Sequence, residues 1–248
     1  MARNVAIGIQ SFEEIIKGKY FYIDKTDFIK EWWNNGDSVT LINRPRRFGK
    51  TLNMSMIQYF FEDARKSDGT KIDNSYLFEG MKIMEAGEEY LTHMGQYPVI
   101  NLSLKSAKQP NFDMAYDMLK RQIADEYSRH MFILEDERLV EQREKYLEIM
   151  REQADRNAYN DSLKFLSQCL ERYYGKKAII LIDEYDVPLE NAYFQGFYDR
   201  MVAFIRSLFE SALKTNDSLE FAVITGCLRI SRESIFTGLN NLEVYSIM

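Results

Sequence analysis

The sequence predicts an α/β domain in which a central, mainly parallel sheet lies between two layers of helices, a three-layer sandwich carrying a helical insertion. Three observations lead there. An apolar run, Val39-Thr-Leu-Ile-Asn43, precedes a loop ending Gly49-Lys50-Thr51 and a helix-compatible stretch over residues 52–61. Ala178-Ile-Ile-Leu-Ile182 is continuously aliphatic, the composition of a strand covered on both faces, as parallel sheets are. A third strand-like run, Leu219-Glu-Phe-Ala-Val-Ile224, ends in Thr225-Gly226, and a helical pattern over residues 193–214 links it to the second.

The remaining elements follow from local signals. Ser11-Phe-Glu-Glu14 is a capping box that starts a short helix. Residues 20–23 read as a small strand, and residues 26–33 as a helix ending near Asn35-Gly36. This leading segment, residues 1–36, forms an N-terminal extension to a core over residues 37–248. It brings Tyr20, Tyr22 and Trp32 near the loop, where adenine contact and core packing both suit an aromatic ring, packing being the commoner role. Lys66-Ser-Asp-Gly-Thr70 breaks the chain after the loop helix. Residues 97–104 read as a further strand, bounded by residues 105–110. An insertion over about residues 111–174 is helical, and its charge-rich middle, residues 135–156, reads as a solvated face that also offers a docking surface.

Strand, loop and helix in that order are what a phosphate-binding loop needs. Backbone N–H groups at the helix start attract phosphate oxygens, and Lys50 supplies the ammonium for the β and γ positions. Thr51 supplies a hydroxyl for Mg²⁺, and Gly49 lets the backbone pass close to phosphate. Arg46, Arg47, Phe48 and Leu52 complete the candidate nucleotide-binding stretch. The general motif has glycine where this chain has Arg44. Either the loop is strained there, at roughly 1–2 kcal/mol for a left-handed arginine, or its entry has a different shape. Pro45 favours the second, with the first strand running one residue longer. Arg44, Arg46 and Arg47 crowd the loop mouth, where phosphate, an acidic partner or solvent each suits a guanidinium.

The aliphatic strand delivers Asp183 and Glu184 to the carboxyl edge of the sheet, where ligands of open α/β sheets bind. Asp183 is the candidate magnesium residue, acting through water, and Glu184 the candidate for aiming the attacking water. Asp186 either assists or pairs with a nearby arginine. Thr225, if its strand lies between the other two, reaches the γ-phosphate as a sensor. Arg229 is a candidate catalytic arginine, with Arg232 as its neighbour, and an ordinary surface role fits both equally.

Taken together, Ile7-Gly-Ile-Gln-Ser-Phe-Glu-Glu14, Tyr20-Phe-Tyr-Ile-Asp-Lys-Thr26, Arg44-Pro-Arg-Arg-Phe-Gly-Lys-Thr51, Leu181-Ile-Asp-Glu-Tyr-Asp186 and the run from Thr225 to Asn241 resemble the AAA-ATPase-like family of bacterial P-loop proteins. The resemblance implies an ATPase core with Lys50 and Thr51 on nucleotide and magnesium, Asp183 and Glu184 as the acidic motif, and Thr225 as sensor. It also implies that arginine at position 44 belongs to the family's own loop. Such proteins generally continue into a domain similar to the PD-(D/E)xK nucleases. No strand here carries that nuclease spacing, so the expectation is a cut sequence or a short gene product.

Composition narrows the function further. A formal net charge of −6 disfavours nucleic-acid binding by the domain as a whole, leaving a local basic patch at residues 44–47. Two isolated cysteines and two isolated histidines show no metal-ligand spacing, and no apolar run or leader suggests a membrane, so a cytoplasmic protein with reduced thiols is expected. The leading expectation is Mg²⁺-dependent ATP hydrolysis driving a conformational change. The rival is a nucleotide-responsive module with negligible turnover that regulates a nuclease-like domain or partner; a phosphotransferase ranks last. A homo-oligomer stays open. ATP over GTP rests on the resemblance, with the absence of an Asn-Lys-x-Asp guanine motif in agreement.

Overall fold

In the computed structural model the described residues are 4–6, 8–227, 235, 236 and 242–246. The elements, in chain order, are α1 (Phe12–Lys17), α2 (Asp27–Asn35), β1 (Val39–Asn43), α3 (Lys50–Phe61), α4 (Glu88–Leu91), β2 (Val99–Ser103), α5 (Phe112–Arg129), α6 (Arg143–Met150), α7 (Arg156–Asn160), α8 (Ser162–Tyr174), β3 (Ala178–Asp183), α9 (Val187–Gln195), α10 (Tyr198–Phe209), β4 (Leu219–Gly226) and β5 (Leu242–Ser246). Short 3-10 turns connect several of them, and a π-helical turn over Glu210–Lys214 extends α10.

The five strands pair in the order β2-β3-β4-β1-β5, every neighbouring pair parallel. Strand β4 therefore lies between the two motif strands, as the site hypothesis requires. Alternate strand residues serve opposite faces. Val39, Leu41, Ile180, Ile182, Ala222 and Ile224 pack under the insertion and α9–α10, whereas Ile179, Leu181, Phe221 and Val223 pack under the N-terminal helices and α3. These two cores are the outer seams of a three-layer sandwich.

Local signals mostly hold. Ser11 caps α1 by accepting the Glu14 N–H, and Gly36, left-handed at φ 67°, ends α2. Gly69 closes the predicted break, with the Lys66 N–H bonded to the Thr70 carbonyl. Residues 20–23 do not form a strand: among the described residues Phe21 alone bridges, to Val5, because this segment lies outside the main sheet. The helix expected over residues 193–214 is two helices broken at Gly196, φ 80°, and the first begins at Val187. The charge-rich middle of the insertion is solvated on its outer side, but Leu139, Tyr146 and Ile149 are fully buried beneath it, and the Tyr146 hydroxyl donates to the Tyr127 carbonyl at 2.7 Å. Among the described residues no helix is long and apolar enough to cross a membrane.

The two histidines are structural. The His93 ring lies 3.9 Å from the Trp33 ring with Nδ1 2.7 Å from the Tyr97 hydroxyl, and burial holds its pKa below the ordinary value. His130 is buried against the Val99 carbonyl, 3.1 Å away. It belongs to a polar cluster in which Glu126 accepts the Asn101 N–H and pairs with Arg129, which also meets Glu62 at the end of α3. Burial opposes ionisation of Glu126. The Arg129 charge and the hydrogen bonds from His130 and Arg129 outweigh it and hold the carboxyl at about 2.

Candidate functional site

Lys50, Thr51, Asp183 and Thr225 meet at the carboxyl edge of β1, β4 and β3. The loop reaches this point through two left-handed residues, Arg47 at φ 70° and Gly49 at φ 75°. Arg44 is not left-handed, and β1 stops at Asn43, so the strand is not longer by a residue. The Arg44 N–H nonetheless bonds the Gly226 carbonyl at 3.1 Å, which carries the ladder one step beyond the strand. Strain thus falls on Arg47, where Pro45 does not dictate the backbone.

Gly49 stands at the N-cap of α3 and makes no side-chain cap, leaving the first-turn N–H groups of a twelve-residue helix facing the loop. The Lys50 side chain is nearly buried. Its ammonium donates to the Arg44 carbonyl at 2.6 Å and the Pro45 carbonyl at 3.1 Å, and lies 3.3 Å from the Cys227 sulfur. All three of its donors therefore point at the loop mouth and the end of β4. The Cys227 contact had no signal in sequence, where the cysteine stood isolated.

Asp183 is 5% exposed and serves as the hub. The Thr51 hydroxyl donates to Oδ2 at 2.6 Å, across 132 residues of chain. Oδ1 accepts from the Thr225 hydroxyl and, at 3.1 Å, from the Glu184 N–H. These partners are a hydroxyl that ligates Mg²⁺ well and a carboxylate next to it, a donor set of oxygens suited to that ion.

Glu184 is left-handed at φ 55° and partly buried. Burial first, then the neighbouring Asp183 carboxylate, raises its pKa above the ordinary value. Its backbone is clamped on both sides: the Val187 N–H bonds its carbonyl, and the Tyr185 N–H bonds the Thr225 carbonyl at 3.1 Å. Asp186, 2% exposed, accepts the Cys227 N–H at 2.8 Å and so ties β4 to the turn after β3. Gly226 permits this approach, because a Cβ there would stand 2.5 Å from the Tyr185 ring.

The other loop residues separate in role. Arg46 approaches Glu190 of α9 at 3.7 Å, a solvent-exposed pair. Arg47 is exposed, and Leu52 packs on the α3-side core. Arg44 and Phe48 line a cavity of about 470 Å³ together with Lys50, Thr225 and residues of α2. Asn43, at the foot of the loop, is buried, and its amide has no hydrogen-bond partner among the described residues. Arg229 and Arg232 lie outside the described residues. Of the extension's aromatics, Trp32 donates to the Thr40 hydroxyl at 2.8 Å and packs edge-on against Phe221, while Tyr22 reaches the Met56 sulfur.

Comparison with known proteins bears on the family and the fold. The chain is 28% identical to an uncharacterized protein in the vnfD 5' region of Azotobacter chroococcum mcd 1, over 99% of this chain and 41% of the relative, so it spans less than half of that protein. No solved structure matches. A family described as a predicted AAA-ATPase, a description that carries nucleotide binding, matches residues 6–236. The chain belongs to this predicted AAA-ATPase family.

Proposed function

We propose that the domain binds ATP with Mg²⁺ where β1, β4 and β3 end, and hydrolyses it to drive a conformational change. The observation that carries this reading is the Thr51–Asp183–Thr225 hydrogen-bonded set, which joins the loop helix, the acidic strand and the central strand at one carboxylate. Phosphate entering the loop takes over the Lys50 ammonium from the Arg44 and Pro45 carbonyls and meets the N–H groups at the start of α3. Thr51 and Asp183 hold Mg²⁺, which, when bound, neutralises charge on the transferring phosphoryl group. Glu184, its basicity increased by burial and by Asp183, accepts the proton of the attacking water. Thr225, bonded to the same carboxylate, reports the state of the γ-phosphate to β4.

The test is a titration of labelled ATP and GTP, with and without Mg²⁺, on wild type and Lys50→Ala. Wild type binds ATP with help from Mg²⁺, and the variant loses most of that affinity. Equal affinity in the two proteins removes the assignment. Phosphate release then separates hydrolysis from simple binding: a wild type that binds ATP tightly yet releases no phosphate, alone or with candidate partners, is a nucleotide-responsive module.

A further inference from the structure

We propose that the cavity beside the loop is a purine nucleoside pocket, with the N-terminal extension as one wall and Asn53 as the residue that reads the base. This rests on the phosphate site argued above. The cavity shares Lys50, Arg44 and Thr225 with that site, so a ligand whose phosphates lie at Lys50 continues directly into it. Its volume, about 470 Å³, falls within the range of small-molecule pockets.

The walls fit a flat heteroaromatic ring. Phe28 of α2, Phe48 of the loop, and Met54 and Ile57 of α3 supply apolar surface from three separate segments. Phe48 is 51% exposed at a loop mouth that also carries Arg44, Arg46 and Arg47, an exposure that a stacked base relieves. The far end is closed by a relay in which Asn35 donates to the Tyr245 hydroxyl at 3.0 Å and that hydroxyl donates to Asp37 at 2.8 Å, fixing β5 against the end of α2.

Among the polar residues on the cavity, Lys25, Glu31 and Asn53 make no side-chain hydrogen bond among the described residues, and of these Asn53, one turn beyond Lys50 on α3, is the one whose side chain carries both a donor and an acceptor. Its backbone N–H bonds the Gly49 carbonyl as part of α3, whereas its side-chain amide makes no hydrogen bond among the described residues. Asp24, also on the cavity, has both oxygens engaged, by Thr26 and by the Lys82 N–H. An amide offers one donor and one acceptor side by side, the complement of an adenine amino group and adjacent ring nitrogen. A carboxylate at the same place would offer two acceptors, the complement of guanine's N1–H and amino group.

The experiment compares ATP, GTP and inorganic tripolyphosphate on wild type, Asn53→Ala, Asn53→Asp, Phe28→Ala and Lys50→Ala, each first shown to unfold at a denaturant midpoint near that of wild type. Asn53→Ala and Phe28→Ala are expected to weaken ATP by about tenfold while tripolyphosphate stays within about twofold. Asn53→Asp is expected to lower the ATP:GTP affinity ratio by about tenfold. Lys50→Ala weakens all three ligands. The proposal is overturned if ATP affinity in both alanine variants stays within about twofold of wild type, or if tripolyphosphate weakens in parallel with ATP. Failure of the phosphate site looks different: ATP is then retained in Lys50→Ala.

Discussion

Glu184→Gln should make the protein inactive and, at neutral pH, more stable. Two features of the structure set the expectation. The carboxyl is partly buried next to Asp183, and its pKa is raised, so the native state binds a proton more readily than the unfolded chain, whose value is near 4.5. A group with that sign costs stability as pH rises from the unfolded value through the folded one, and the cost is complete above both. Glutamine keeps the shape and removes the charge, which leaves Asp183 without its neighbouring anion. The gain should therefore appear at about pH 8 and shrink towards about pH 4. The left-handed backbone, φ 55°, is a separate cost of roughly 1–2 kcal/mol that glutamine retains. Glu184→Gly relieves it as well, against about 0.5–1 kcal/mol of added unfolded-state entropy, for a net further gain of up to about 1.5 kcal/mol. Loss of the base should slow phosphate release by about 10²–10⁴, roughly 3–5 kcal/mol of barrier, with ATP affinity little changed. Steady-state phosphate release and urea unfolding at the two pH values measure both sides. A variant less stable than wild type at about pH 8, or one releasing phosphate within about tenfold of wild type, refutes the reasoning.

Three further outcomes are expected. Glu126→Gln removes a carboxylate held at about 2 against an unfolded value of 4.5; that stability is complete above 4.5 and is lost as pH falls through about 2. The variant should lose roughly 3 kcal/mol at neutral pH by urea titration, with the gap closing in acid; parallel curves down to about pH 2 count against the buried pair. Gly226→Ala forces a methyl against the Tyr185 ring and Asp186, and should cost about 1–3 kcal/mol in denaturant while weakening turnover; full stability would mean that the turn after β3 can yield. Thr225→Val removes one of the hydroxyl donors on Asp183, costing about 1.5–3 kcal/mol, and should lower the rate of phosphate release more than ATP affinity; an equal loss in both would deny it a sensing role.

Much of this arrangement is readable along the chain because its causes are local. The aliphatic run at residues 178–182 can satisfy its composition only between two helical layers, and it lies fully buried in β3. Gly49 marks the loop because a left-handed residue must precede α3. Gly196 breaks α9 from α10 by the same means, yet its signal is lost inside a pattern that stays helical on both sides. Residues 20–23 read as a strand because consecutive aromatics suit a pleated surface, whereas among the described residues a single bridge, Phe21 to Val5, is formed.

Residue types, their spacing and the order strand, loop, helix nominate the groups proposed here to carry the chemistry, since these depend on neighbours in sequence. That Thr51 and Thr225 share one carboxylate, that Cys227 approaches Lys50, that Glu184 takes a left-handed backbone and that Asn53 faces a cavity walled by α2 were decided only when β4 inserted between β1 and β3. The physical reason is that hydrogen bonds and burial act over a few ångströms, whatever the separation along the chain. Only the folded sheet sets those distances.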